Sequence, residues 1–138
     1  MRIFIDTNIL IDLLIKREPS YTDIAEMFDL ALQKHDTLVI SNLSIVNAHY
    51  VCKKITGVQE KALRTALQNI CISCEIASFT VNITMKSLLS SFKDFEDATQ
   101  YFCALENNCD VIITGNKKDF NLSDIPVFKP KEFLTGYL

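Results

Sequence analysis

Short apolar runs and stretches of helical spacing take turns along the chain. Ile3, Phe4 and Ile5 form a continuous apolar run that stops at Asp6, which predicts a buried strand over residues 2–5. Ile9, Leu10, Leu13 and Leu14 then recur at helical spacing, with Thr7 or Asn8 as the expected cap. Lys16 to Ser20 is polar punctuation. Ser20 opens a second helix whose apolar side holds Tyr21, Ile24, Met27, Phe28, Ala31 and Leu32. Leu38-Val39-Ile40 is a second buried strand, ended by Ser41-Asn42. The next helix is expected to turn Leu43, Val46, Asn47, Tyr50 and Val51 to one face and to break at Thr56-Gly57.

A further helix is predicted over 58–70, with Leu63, Ala66, Leu67 and Ile70 inward. A short strand over 75–80, a helix over 81–89 and a helix from Asp94 to Glu106 follow. Residues 110–114 read as a strand ended by Gly115-Asn116, Val127-Phe128 as the last strand, and 130–134 as a closing helical turn. Strands alternating with helices predict an α/β fold with a mainly parallel central sheet. No repeat or linker interrupts the pattern, so residues 1–138 are expected to form one domain.

Composition adds limits to this picture. At 138 residues the chain buries roughly two thirds of its unfolded surface, so it needs no disulfide or metal to hold a core. A hydrophobic content of 49% with 22% charged residues excludes a disordered chain. The net charge of -3 gives no sign of a bulk polyanion binder, but leaves room for a basic stripe beside an acidic pocket. No apolar run approaches the ~18 residues of a membrane span. Asp6 and Asp12 interrupt the one run that starts like an export signal. The five cysteines therefore read as reduced thiols of a cytoplasmic protein.

The candidate chemistry lies at strand ends. Asp6, the pair Ser41-Asn42 with Asn47 beyond it, and Thr114-Gly115-Asn116 all follow apolar strands. The carboxyl edge of an open α/β sheet is where ligands bind. A lone Asp6 would suit a helix cap, and the convergence of three strand ends favours a site. Asp94 and Asp97 share a helical face. Their place in a first turn also suits capping and the helix dipole. Ala98, Tyr101, Phe102, Ala104 and Leu105 predict that this helix is packed on several sides, which brings its first turn to the sheet edge. Carboxylates gathered without a cation raise one another's pKa, and a hard divalent ion with oxygen ligands relieves that repulsion. Lys117 and Lys118 follow Asn116 on the rim of the proposed site, where a nucleic-acid backbone needs charge. Cys71-Ile-Ser-Cys74 lacks the second pair of a zinc ribbon, and Ile70, Ile72 and Ile76 beside it predict buried thiols. His35 and His49 have no acidic partner at metal or triad spacing and read as surface or packing residues.

With these residues in place, the chain resembles the PIN domain family over essentially its full length. The stretches that carry the resemblance are IDTNIL, DFEDATQYFCA and VIITGNKKDF. It implies a three-layer α/β/α sandwich and a Mg²⁺- or Mn²⁺-dependent endoribonuclease acting on RNA. Many small members are toxins of the VapC type, commonly homodimers inhibited by a cognate antitoxin protein. Asp6 and Asp97 match acids of the family pattern, and Asp94 is an additional acid on the same face. Asn116 falls where the family has a fourth acid or an Asn. Asn47 stands where a Glu is usual, and Gly115 where an Arg is common. The resemblance thus implies Asp6, Asp94 and Asp97 as catalytic and metal-binding, with Asn47 and Asn116 as neutral oxygen donors. Three formal negatives suffice for one ion and are thin for two. Asn8 and Thr114 are expected to position ligands or bind phosphate, with Lys117 and Lys118 on the RNA. The alternative is a non-catalytic PIN-like RNA- or protein-binding module with a degraded metal site. An aspartyl-phosphate phosphatase also begins with strand–Asp, but Asn8 stands where its second Asp belongs.

Overall fold

The computed structural model describes residues 1–137. Five strands, β1 (Arg2–Ile5), β2 (Thr37–Ser41), β3 (Glu75–Ala77), β4 (Val111–Ile113) and β5 (Val127–Phe128), pair in parallel in the order β3-β2-β1-β4-β5. The helices are α1 (Thr7–Leu14), α2 (Ser20–Gln33), α3 (Asn42–Thr56), α4 (Glu60–Ile72), α5 (Val81–Leu89), α6 (Phe95–Glu106) and α7 (Pro130–Tyr137).

The central strands are apolar on both faces because helices cover both. Side chains alternate across a strand, and the core divides accordingly. Ile3, Ile5, Leu38, Ile40, Val111 and Ile113 pack with Ile9, Leu10, Ile24, Met27, Ala48, Leu63 and Phe133. Phe4, Val39 and Ile112 point the other way, to Ile83, Tyr101, Ala104 and Phe120. One layer therefore holds α1, α2, α3, α4 and α7, and the other α5 and α6. This is the expected three-layer sandwich. Each fully buried Phe, Ile or Leu contributes roughly 1.5–3 kcal/mol through the water it sheds.

Register positions the site. Ile5 pairs with Ile113, so Asp6 and Thr114 emerge side by side at the carboxyl edge. The chain leaves β1 for β2 on one side and returns through β4 on the other. That reversal opens a crevice at the strand ends where ligands sit in open α/β sheets.

Four expectations need correction. Asp6 itself, not Thr7 or Asn8, caps α1, accepting from Thr7 N in extended backbone geometry. The third strand stops at Ala77. The closing turn is a helix through Tyr137. The buried face of α3 is Ser44, Ala48 and Cys52, while Val46 and Tyr50 are 64% and 66% exposed. This helix packs against both α1 and α4, and close approach selects small side chains over large ones. It ends as expected at Gly57, whose φ of 64° lies in the left-handed region. Of the neighbours of Cys71 and Cys74, Ile72 and Ile76 are exposed, and only Ile70 packs on the core. Both thiols are still half-buried, and burial pushes Cys74 up to about 12, far from a metal-binding thiolate. No described helix is long and apolar enough to cross a membrane.

Candidate active site

Asp6 is 3% exposed. Its Oδ1 accepts from Thr7 N at 2.8 Å and its Oδ2 from Thr114 Oγ1 at 2.7 Å. Both oxygens are thus aimed by a helix start and a neighbouring strand end. Burial pushes this carboxyl up to about 7. The Thr114 bond opposes the rise, the charges of Glu96 and Asp119 add to it, and the Thr7 N–H opposes it. Asp97, half-buried in the first turn of α6, is also pushed up to about 7. Burial is the first cause, followed by the charges of Asp6, Asp94, Glu96 and Asp119.

These acids face two adjoining clefts. One, of about 380 Å³, is lined by Asp6, Thr7, Asn8, Ile11, Asn47, Val51, Glu96, Asp97 and Asn116. The other, of about 400 Å³, is lined by Lys93, Asp94, Asp97, Lys118, Asp119 and Asn121. Asp97 borders both. Asp94, Glu96 and Asp97 offer oxygens within 4.8 Å of one another. Among the described residues, the ion pairs use Asp12, Asp36, Glu60, Glu75 and Glu132, and leave Asp6, Glu96 and Asp97 without a basic partner. A buried carboxyl held near 7, with further acids beside it and no cation from the protein, fits a divalent metal with oxygen ligands.

The expected residues divide between the clefts. Asp6, Asn8, Asn47, Asp97 and Asn116 meet in the first. Asp94 is exposed and caps α6, accepting from Asp97 N at 3.0 Å, so the capping interpretation describes it well. Thr114 is fully buried. Its hydroxyl donates to Asp6 and accepts from Asn116 N at 3.1 Å, so it positions Asp6 and offers no face to a substrate. Asn8 Oδ1 accepts from Gly115 N at 3.2 Å, tying α1 to the end of β4. Lys117 pairs with Glu132 at 3.1 Å, while Lys118 borders the second cleft.

Sequence reasoning passed over two acids. Glu96, between Asp94 and Asp97, lines the same cleft as Asp97. Asp119 sits in a 3₁₀ turn, Lys117–Phe120, that no periodicity announces. The signal that would have found both is their place beside residues already singled out, Glu96 between Asp94 and Asp97 and Asp119 next to Lys118.

Comparison with known proteins places the chain. The PIN domain model matches residues 2–118, and the chain belongs to that family. Ribonuclease VapC1 of Aquifex aeolicus (strain VF5) is 28% identical over 137 residues, covering 96% of this chain and 92% of the relative. A toxin–antitoxin complex from Klebsiella pneumoniae contains a similar chain, with a TM-score of 0.65, 29% identity and coverage of 92% and 96%. VapBC-1 from nontypeable Haemophilus influenzae shares the fold, with a TM-score of 0.70, 21% identity and coverage of 95% and 99%.

Proposed function

We propose that this chain, acting as a single domain, is a cytoplasmic endoribonuclease that hydrolyses RNA phosphodiester bonds with a bound Mg²⁺ or Mn²⁺, and is the toxin of a toxin–antitoxin pair. The observation that carries the chemistry is the pair Asp6 and Asp97, both pushed to about 7 in one cleft and without a basic partner among the described residues. Similarity to a VapC ribonuclease over nearly the full length of both chains supports RNA as substrate, and similarity to a chain of a toxin–antitoxin complex supports an antitoxin as partner.

Asp6 and Asp97 would hold the cation, with Asn47 and Asn116 of the same cleft as neutral oxygen donors. When bound, the cation supplies Lewis acidity and lowers the pKa of a water. The chain's own residues do the rest. Thr114 and Thr7 N fix both oxygens of Asp6, so the carboxylate needs no reorganisation as charge develops. Asp97, more open to solvent, is placed to take a proton from water entering the cleft. Asp94, as the cap of α6, secures the backbone of Asp97. Lys118, on the rim of the second cleft with Lys93, meets phosphates along the RNA. A homodimer belongs to the same reading. It is supported by α5, which exposes Val81, Met85, Leu88 and Leu89 at 51–83%, the kind of apolar strip that marks an interface.

The test is calorimetric titration with Mn²⁺ alongside cleavage of a mixed RNA pool. Binding with cleavage is expected, both lost in Asp6→Asn with the fold retained. Absence of Mn²⁺ binding at millimolar concentration would sink this reading and leave the non-catalytic module.

A further inference from the structure

The first cleft is lined by the carboxamides of Asn8, Asn47 and Asn116, so its charge comes from Asp6 and from the start of α6. Asp94 and Glu96 compete for that role. Asp94 is exposed, commits an oxygen to the N-cap and borders the other cleft. Glu96 borders the cleft that contains Asp6, and its carboxylate is held there. Thr7 Oγ1 donates to Glu96 Oε1 at 3.2 Å and Gln100 Nε2 donates to the same oxygen at 3.1 Å.

Gln100 carries the second observation. Its side chain is 1% exposed, and Nε2 also reaches Thr7 Oγ1 at 2.8 Å and Ser44 Oγ at 2.9 Å. Its Oε1 is buried with no hydrogen-bond partner. A buried amide that leaves its oxygen unpaired needs a reason. Turning it over would satisfy that oxygen on the hydroxyls and set it against the Glu96 carboxylate. The amide therefore gives up a bond to keep Glu96 in place. Both bonds to Glu96 fall on Oε1, which leaves Oε2 for another partner.

We propose that Glu96 is the third carboxylate ligand of the divalent cation, held toward the cleft by Gln100 and Thr7, and that Asp94 serves the helix rather than the ion. The assignment rests on the metal-dependent reading above and specifies its ligand set. It gives the cleft three charges, Asp6, Glu96 and Asp97, among the neutral oxygens of its carboxamides.

The test is Mn²⁺ titration of the full chain at pH 7.5, with circular dichroism of the metal-free variants as the fold control. Glu96→Gln is expected to weaken Mn²⁺ binding by about 10–100-fold, the range seen when even an outer partner of a metal ligand is removed. Asp94→Asn is expected to bind Mn²⁺ much as the native chain does. Adding Asn47→Glu to Glu96→Gln returns a carboxylate to the same cleft and restores binding, which a purely structural role for Glu96 would not produce. Should Glu96→Gln fail to fold, Gln100→Met removes the hold and keeps the charge: weaker Mn²⁺ binding supports the assignment and unchanged binding overturns it. Native affinity in Glu96→Gln beside lost affinity in Asp97→Asn overturns the assignment and leaves the metal site standing. Absence of Mn²⁺ binding by the native chain overturns both.

Discussion

Two acidic centres in this molecule have opposite electrostatics. On the outer surface, Glu60 accepts from Lys53 Nζ at 2.6 Å, His49 Nε2 at 2.6 Å and Arg64 Nε at 2.7 Å. Those partners pull its carboxyl down to about 2. In the cleft, Asp6 and Asp97 are pushed up to about 7, first by burial and further by the neighbouring charges of Glu96 and Asp119. The Glu60 cluster is complete in itself: it joins α3 to α4, and solvent screens what it contributes. The cleft is incomplete, because the protein supplies the anions and no counter-charge. The downward shift of Glu60 comes from its basic partners, and the upward shifts of Asp6 and Asp97 come from burial beside other acids.

The comparison can be broken in four places. The largest effect is on catalysis. Asp6→Asn is expected to lower RNA cleavage by at least about 100-fold, as loss of metal affinity alone would do, with near-native circular dichroism. Cleavage at the native rate would remove Asp6 from the site. Next is metal-linked stability. At pH 8, Mn²⁺ at 100 times its Kd should stabilise the fold by about 2.7 kcal/mol, read as a rise in Tm that a chelator reverses. A Tm indifferent to Mn²⁺ would contradict the cleft's need for a cation.

Third is pH dependence without metal. A carboxyl whose pKa is raised on folding holds its proton more tightly in the native state. Its stabilising effect is full below the unfolded value of 3.8 and is lost as pH rises through about 7. The metal-free chain should therefore melt lower at pH 8 than at pH 5.5. Asp97→Asn should recover Tm, with a greater gain at pH 8 than at pH 5, in a differential-scanning series. An equal gain at both would remove the titration as its cause. The smallest effect belongs to the exposed cluster. Glu60→Gln should leave Mn²⁺ affinity unchanged and shift Tm only slightly, less so in high salt. Its contribution is present above the ordinary carboxylate range and fades as pH falls toward about 2. A change in Mn²⁺ affinity here would show the two centres to be coupled.

Much of the fold was legible in the chain because its strands are short, wholly apolar and punctuated by polar ends. Asp6 and Asn116 could be placed at one edge before any coordinates, since parallel strands that end in polar residues end together. Legibility failed where two elements compete for one helix. On α3 the large residues Val46 and Tyr50 look like a core face, but a helix wedged between two neighbours buries Ser44, Ala48 and Cys52. It failed again at Glu96, because a residue's direction in a first turn depends on what holds its tip. Gln100, which does the holding, is a turn further along and reads in the chain as ordinary polar surface, though it is 1% exposed.

The hydrogen bond from Thr114 to Asp6 spans 108 positions of sequence. During synthesis Asp6 leaves the ribosome early, and the strand that aims its carboxylate follows only after most of the chain has been made. Until β4 docks beside β1, the carboxylate has neither its orienting hydroxyl nor the burial that shapes the cleft. Asp6 is therefore the first residue of the cleft to be made and among the last to be set in place, when β4 pairs with β1.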